Sequence, residues 1–269
     1  MRSVVSFVII ASCVAFAAVD SDPLEAGYRQ MYNLSFDNAH RTFRAYEQQH
    51  PDDPMGPVSD AAAYLFAEFD RLHILQSELF VDDNRFKNIQ KLSPDPTAKQ
   101  KFEAALSETD RLTAKALARE SQDKNAIFAN ILRLGLHADY LALIEKRYLT
   151  SLSEMKDSRA MAERLVTSDP RYYDAYLAIG VENYLLSLKP APVRWMLRLG
   201  GAQTDKDQGI EKLRLTAEKG RYLQPYARLL LAVAALRDHD RGKGRALLEG
   251  LSREFPQNRL YAEELARLH

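Results

Sequence analysis

From Pro23 onward, apolar side chains recur at helical spacing and strand-like alternation is hard to find, which restricts the chain to an all-α fold. Phe36, Ala39, Phe43 and Tyr46 fall on one face. Phe102, Ala105, Leu106, Thr109 and Ala116 make a second stripe, with Glu103, Glu108, Asp110 and Arg111 outside it. Ile127, Ile131, Leu134 and Ala138 make a third. Proline cannot continue a helix, so breaks are expected at Pro51–Pro57, Ser93–Pro96, Asp169-Pro170, Pro190–Pro192, Pro225 and Pro256. This punctuation predicts about eleven helices joined mostly by short turns.

The helices also repeat. Gly27, Ala39, Phe43 and Pro51 are separated by 12, 4 and 8 residues, and Ala232, Gly244, Leu248 and Pro256 have the same separations. Two small residues let a pair of helices cross closely, an apolar residue plugs the crossing, and a proline ends the second helix. A third copy follows Pro170 with Tyr176-Leu177-Ala178-Ile179-Gly180. Its register fails near residue 192 and resumes at Gly209, Leu213 and Ala217, as if the 17 residues 188–204 were inserted.

This grid resembles the tetratricopeptide repeat over roughly residues 23–269, with Tyr176 for the usual Trp and Ile179 for Leu. The repeats are degenerate, and residues 57–165 keep helical hairpins but little of the grid. The stretch PRYYDAYLAIGVENYLL, a proline-rich break and LGGAQTDKDQGIEKL resemble the tetratricopeptide repeat protein 39 family and its bacterial relatives. The front end, FDNAHRTFRAYEQQHPDDP, is similar to envelope-assembly repeat lipoproteins that organise outer-membrane insertion. The resemblance implies a right-handed solenoid of hairpins over residues 18–269, whose concave groove binds protein or peptide segments. Projected onto the grid, the groove receives Leu24, Tyr28, Met31 and Tyr32, then Leu177, Val181, Tyr184 and Leu185. Repeat domains that grip chaperone C-termini carry Lys and Asn there, so a carboxylate clamp is not expected. Either the groove takes an apolar segment, with Tyr28, Tyr32 and Tyr184 as partner-binding residues, or neighbouring helices fill it. Filling is the favoured expectation.

The N-terminus, MRSVVSFVIIASCVAFAAVDSDP, has a basic Arg2, an uncharged run from Val4 to Ala18 and an A-x-A site at Ala15 and Ala17. It reads as a signal peptide over residues 1–17, with an exported chain starting near Ala18. Ile10-Ala11-Ser12-Cys13 also resembles a lipobox, which would make Cys13 the acylated N-terminus of a membrane-anchored lipoprotein. With one cysteine in the chain, cleavage at the ordinary site leaves none, as suits a periplasmic or secreted protein. Asn33-Leu34-Ser35 is a formal glycosylation sequon and reads as helix–turn sequence.

Thirty-seven basic residues balance 37 acidic ones, which argues against nucleic acid as partner. Residues 189–269 hold 16 Lys plus Arg against 10 Asp plus Glu, and the turn Arg237–Arg245 is read as exposed and partly neutralised by its aspartates. The histidines show no metal-binding spacing, and no nucleophile elbow or P-loop is present. Neither a cofactor nor catalysis is expected. Adjacent carboxylates at Asp52-Asp53, Asp82-Asp83 and Glu263-Glu264 read as solvated surface, and Gly200-Gly201 as a turn into an Asp205-capped helix.

The insertion LKPAPVRWMLRLGGAQT carries the only tryptophan. Pro192 can start a short helix and Gly200-Gly201 can stop it. Such a helix sets Arg194 and Arg198 at i, i+4, opposite much of the apolar set. The favoured reading is a lid that packs Trp195 onto neighbouring hairpins. The rival is an amphipathic surface in which Arg194, Trp195 and Arg198 touch a partner or a membrane. The chain is therefore expected to be an exported helical-repeat scaffold for protein–protein interaction in the cell envelope. The alternatives are a lipid-anchored outer-membrane assembly factor and a peptidoglycan-active enzyme.

Overall fold

A computed structural model describes residues 22–74 and 92–268. Among these, the regular structure is helical throughout, without strands. The twelve α-helices are α1 (Pro23–Tyr32), α2 (Phe36–Gln49), α3 (Met55–Arg71), α4 (Pro96–Arg119), α5 (Lys124–Tyr140), α6 (Tyr148–Ser168), α7 (Tyr176–Ser187), α8 (Ala191–Leu199), α9 (Lys206–Lys219), α10 (Gln224–Arg237), α11 (Arg241–Glu254) and α12 (Arg259–Arg267). The signal sequence, Cys13 and Asp82-Asp83 lie outside the described residues.

Helix starts follow the side chains able to cap them. Asp22, Asp95, Asp123, Asp205, Asp240 and Asn258 each accept a hydrogen bond from a first-turn backbone N–H. The break expected to run through Pro57 ends at Pro54. Pro57 lies in the first turn of α3, where a proline sacrifices no intrahelical bond. Asn33 and Leu34 form the α1–α2 turn, and the turn before α11 is exposed, with Asp238 paired to Lys206 at 2.5 Å.

Among the described residues, each helix packs on the next described one, except that α7 takes α9 as its partner across α8. The residue grid accounts for that exception. A Cβ on Gly27 would stand 2.2 Å from the Phe43 ring, and a Cβ on Gly180 would stand 2.9 Å from Leu213. Leu213 occupies in α9 the plug position that Phe43 occupies in α2, and both are fully buried. The α7/α9 crossing therefore has the same small-residue-on-plug contact as α1/α2, with α8 as an excursion.

A second equivalence lies in the turns. Leu34 (φ 59°) and His239 (φ 61°) each stand seven residues after the first small residue of their copy, in the left-handed conformation. In both, a six-residue backbone bond closes the turn: Ser35 N to Gln30 O and Asp240 N to Ala235 O, each 2.9 Å.

The first hairpin also meets the last elements of the chain. The Tyr32 hydroxyl donates to Tyr222 O (3.0 Å), Asn258 Nδ2 donates to Tyr32 O (2.8 Å), and Arg29 pairs with Glu254 (2.8 Å). Leu24, Tyr28, Met31 and Tyr32 are thereby buried, so neighbouring elements fill this stretch of the projected groove. α5 packs on α3, α4 and α6, which explains why Lys124–Glu145 is apolar enough, on length and composition alone, to cross a membrane.

Candidate functional site

Two features of the folded chain could engage a ligand. The first is α8 and its anchor. α7 ends in GVENYLL, whose Glu182 and Asn183 are fully buried. Arg159 of α6 reaches Glu182 at 2.9 Å, Glu163 at 2.8 Å and Gly201 O at 3.1 Å. The returning chain donates Gln203 N to Glu182 (3.0 Å) and Asp205 N to Asn183 (3.2 Å). Burial pushes the Glu182 carboxyl up, against the pull of Gln203 N and Arg159. Burial also works against the Arg159 charge, but the two glutamates outweigh it and hold the guanidinium above its usual range. The excursion is thus fixed at its base by buried, charge-assisted bonds.

At its tip nothing is buried. No residue of α8 is buried, and Trp195, Met196 and Leu199 are 64%, 63% and 70% exposed. Arg194 donates to Lys189 O (3.0 Å), while Arg198 donates to Thr204 Oγ1 (2.6 Å), so both arginines brace the flanks of α8. The expected lid over Trp195 is therefore corrected to an exposed ridge. The physical reason is the tight α7/α9 crossing: a Cβ on Gly209 would already stand 2.6 Å from Tyr184 N, which leaves no space there for an indole.

The second feature is a cavity of about 90 Å³ between α1, α3, α5, α6, α7 and α10. Its wall is largely apolar, with Tyr28, Met31, Phe66, Leu136 and Val181 among the lining residues. Asp139, Ser158, Asp174 and Tyr226 supply polar groups. Asp174 is satisfied by the backbone N–H groups of Arg221 (2.9 Å), Tyr222 (3.2 Å) and Leu223 (2.9 Å). Asp139 has no hydrogen bond or ion pair among the described residues, and burial pushes its carboxyl up to about 7.

The chain matches no family model and no curated protein.

The structure separates the predicted site residues. Tyr28 and Tyr32 are buried in the cavity wall, with the Tyr28 ring stacked on Tyr222 at 5.2 Å. Tyr184 is a core residue between α7 and α9, 2% exposed, and offers no open surface. Only the α8 set of Arg194, Trp195 and Arg198 stands at the surface together. Among the described residues, no three His, Cys, Asp or Glu side chains converge to hold a metal. The carboxylates at Asp53 and Glu264 are also less solvated than expected. Asp53 accepts from Tyr46 (2.5 Å) and Asn125 (2.7 Å), and Glu264 is buried beside Arg267 (2.7 Å).

Asp139, Arg159, Glu182 and Asn183 were missed in the sequence. For Asp139, Glu182 and Asn183 the signal is a polar residue inside an apolar helical run, in HADYLAL and GVENYLL, where an unpaired polar group would be costly to bury; Arg159, in the polar stretch SEMKDSRAMAERL, carries no such signal.

Proposed function

We propose that this chain is an exported helical-repeat scaffold of the cell envelope that binds a protein segment, with α8 as the partner-contacting ridge. The single observation that carries the reading is the exposure of Trp195, Met196 and Leu199 on a helix whose base is held by the buried Arg159–Glu182 network. An apolar ridge on a fixed pedestal suits recognition, because little ordering entropy is lost when a partner covers it. The matching glycine crossings and left-handed turns support arranging the hairpins as a tetratricopeptide-like, right-handed superhelix. No catalytic role, cofactor or nucleic-acid partner forms part of the proposal.

A Trp195→Ala/Leu199→Ser variant tests it. The variant should keep its fold, and it should lose the envelope protein that the wild-type chain retains in a pull-down. Retention of the same protein would remove α8 from the reading. N-terminal sequencing of the mature chain tests export: a start at Ala18 fits a free scaffold, whereas a blocked Cys13 fits the lipid-anchored assembly factor.

One observation favours a second reading. Residues 188–204 contain Lys189, Arg194 and Arg198 but no acidic residue, so the ridge also suits an anionic lipid surface.

A further inference from the structure

The central cavity has a chemical asymmetry that the scaffold reading leaves unused. Asp139 lies on α5 in a largely apolar wall and has no hydrogen bond or ion pair among the described residues. The titratable groups that line the cavity with it are Tyr28 and Tyr32 from α1, Asp174 from the turn before α7, and Tyr226 from α10. None of them can carry a positive charge, and no lysine, arginine or histidine lines the cavity. Asp174 is already held by three backbone N–H groups, so Asp139 is the wall's one carboxylate without a protein donor. Asp139 is half-buried, and a carboxylate set in a largely apolar wall is costly to ionise unless it is paired. The missing half of the pair is a cation.

We propose that this cavity binds a primary ammonium on a short unbranched apolar stem, with Asp139 as its counter-ion.

Size and coordination chemistry select this class of cation. At roughly 15 Å³ per water-sized group, the cavity has room for about six heavy atoms, which is the size of a pentylammonium and close to that of a lysine side chain. A hard metal ion needs about six to eight oxygen ligands, and with Asp174 committed to three backbone N–H groups the wall offers one further carboxylate and a few neutral hydroxyls, which do not make up that number. A guanidinium presents five donors in a plane and would leave most of them unmet here. An ammonium has three donors. Ser158 Oγ donates to Ile131 O (3.0 Å) and so keeps its lone pairs, and Ser158 lines the cavity together with Asp139 and Tyr226. The methylene stem would lie against Phe66, Leu136, Leu177 and Val181. Burial raises the Asp139 carboxyl to about 7, so binding should strengthen as pH rises through that value and Asp139 ionises.

Such an ammonium can come from a free alkylamine or from a lysine of a bound segment. Calorimetric titration of the full chain with n-pentylammonium, 1-pentanol and N-acetyl-lysine amide tests the site and distinguishes the sources. Pentylammonium should bind at least about tenfold tighter than the neutral, equally long pentanol, equivalent to about 1.4 kcal/mol. Asp139→Asn should remove that preference, and Ala178→Leu, which narrows the cavity without touching the charge, should weaken both ligands. Binding of the lysine amide as tightly as pentylammonium assigns the site to a partner's side chain; its exclusion while pentylammonium binds assigns it to a free amine. The proposal is overturned if pentylammonium shows no binding at millimolar concentration, or if Asp139→Asn binds it as the wild type does. Because these probes do not touch α8, the result is independent of the pull-down.

Discussion

Arg159 Nε lies 2.9 Å from a Glu182 carboxylate oxygen, with the Glu182 side chain fully buried and the Arg159 side chain 10% exposed. The pair joins α6 to α7 and, through Gly201 O and Gln203 N, to the chain returning from α8. Glu182→Ala should therefore do more than remove one ion pair. Losing Glu182 leaves Arg159 with the partly exposed Glu163 alone and Gln203 N without its acceptor, and breaking a buried pair from one side costs up to about 3–5 kcal/mol. Chemical denaturation should read that loss, and amide exchange at residues 200–205 should rise more than elsewhere.

Close helix crossing predicts opposite outcomes for two glycines. A Cβ at Gly209 would meet the Tyr184 backbone at 2.6 Å, and backbone cannot rotate away. Gly209→Ala should destabilise by about 1–3 kcal/mol. A Cβ at Gly250 meets nothing within 4 Å, so Gly250→Ala should stabilise by about 0.5–1 kcal/mol through helix propensity. Urea midpoints that move together would contradict the α7/α9 register.

His239 holds a left-handed backbone (φ 61°) at an exposed turn. Glycine adopts that conformation without the Cβ clash, so His239→Gly should raise stability by about 1 kcal/mol. A melting temperature that falls would mean that the imidazole makes a contact worth more than the strain.

Stability should fall as pH rises from about 4 to 7. The Asp139 carboxyl is raised in the folded chain from 3.8 to about 7, so over that window the folded state binds a proton that the unfolded state has released. The stabilisation is complete below the unfolded value and is lost as pH rises through the folded one. At 1.36 kcal/mol per pH unit the effect reaches at most about 4 kcal/mol. Glu47, also raised to about 7, acts in the same direction, so the comparison that isolates Asp139 is wild type against Asp139→Asn. The variant should lose part of the slope, and an identical slope would remove Asp139 from the account.

Trp195 is the sole indole, and its fluorescence reports on α8 directly. At 64% exposure it should emit at long wavelength and be readily quenched by acrylamide. A blue shift on adding anionic vesicles would favour the lipid reading of α8, and indifference to them would favour a protein partner. A buried emission without any ligand would overturn the exposed ridge.

Much of the helical architecture was legible because helix formation is a local problem. Period, capping aspartates and prolines act over a few residues, and the separations linking Gly27 to Phe43 also located Gly180, Leu213 and the excursion between them. The fate of each side chain was less legible. The separations placed Tyr28, Tyr32 and Tyr184 along a groove, but burial depends on which other elements arrive, and residues 222 and 258 arrive from the far end of the chain to cover Tyr32.

Residue pattern alone determined the helical class, the small-residue helix crossings and the break between α7 and α9 at 188–204, because these follow from backbone preferences and from close crossings that only small residues permit. Tertiary structure alone decided that Trp195 stands in solvent and that Asp139 faces a largely apolar cavity without a partner. An indole or a carboxylate has the same sequence signature whether it is covered or bare. Its free energy depends on neighbours distant in the chain, which only the packed fold brings together.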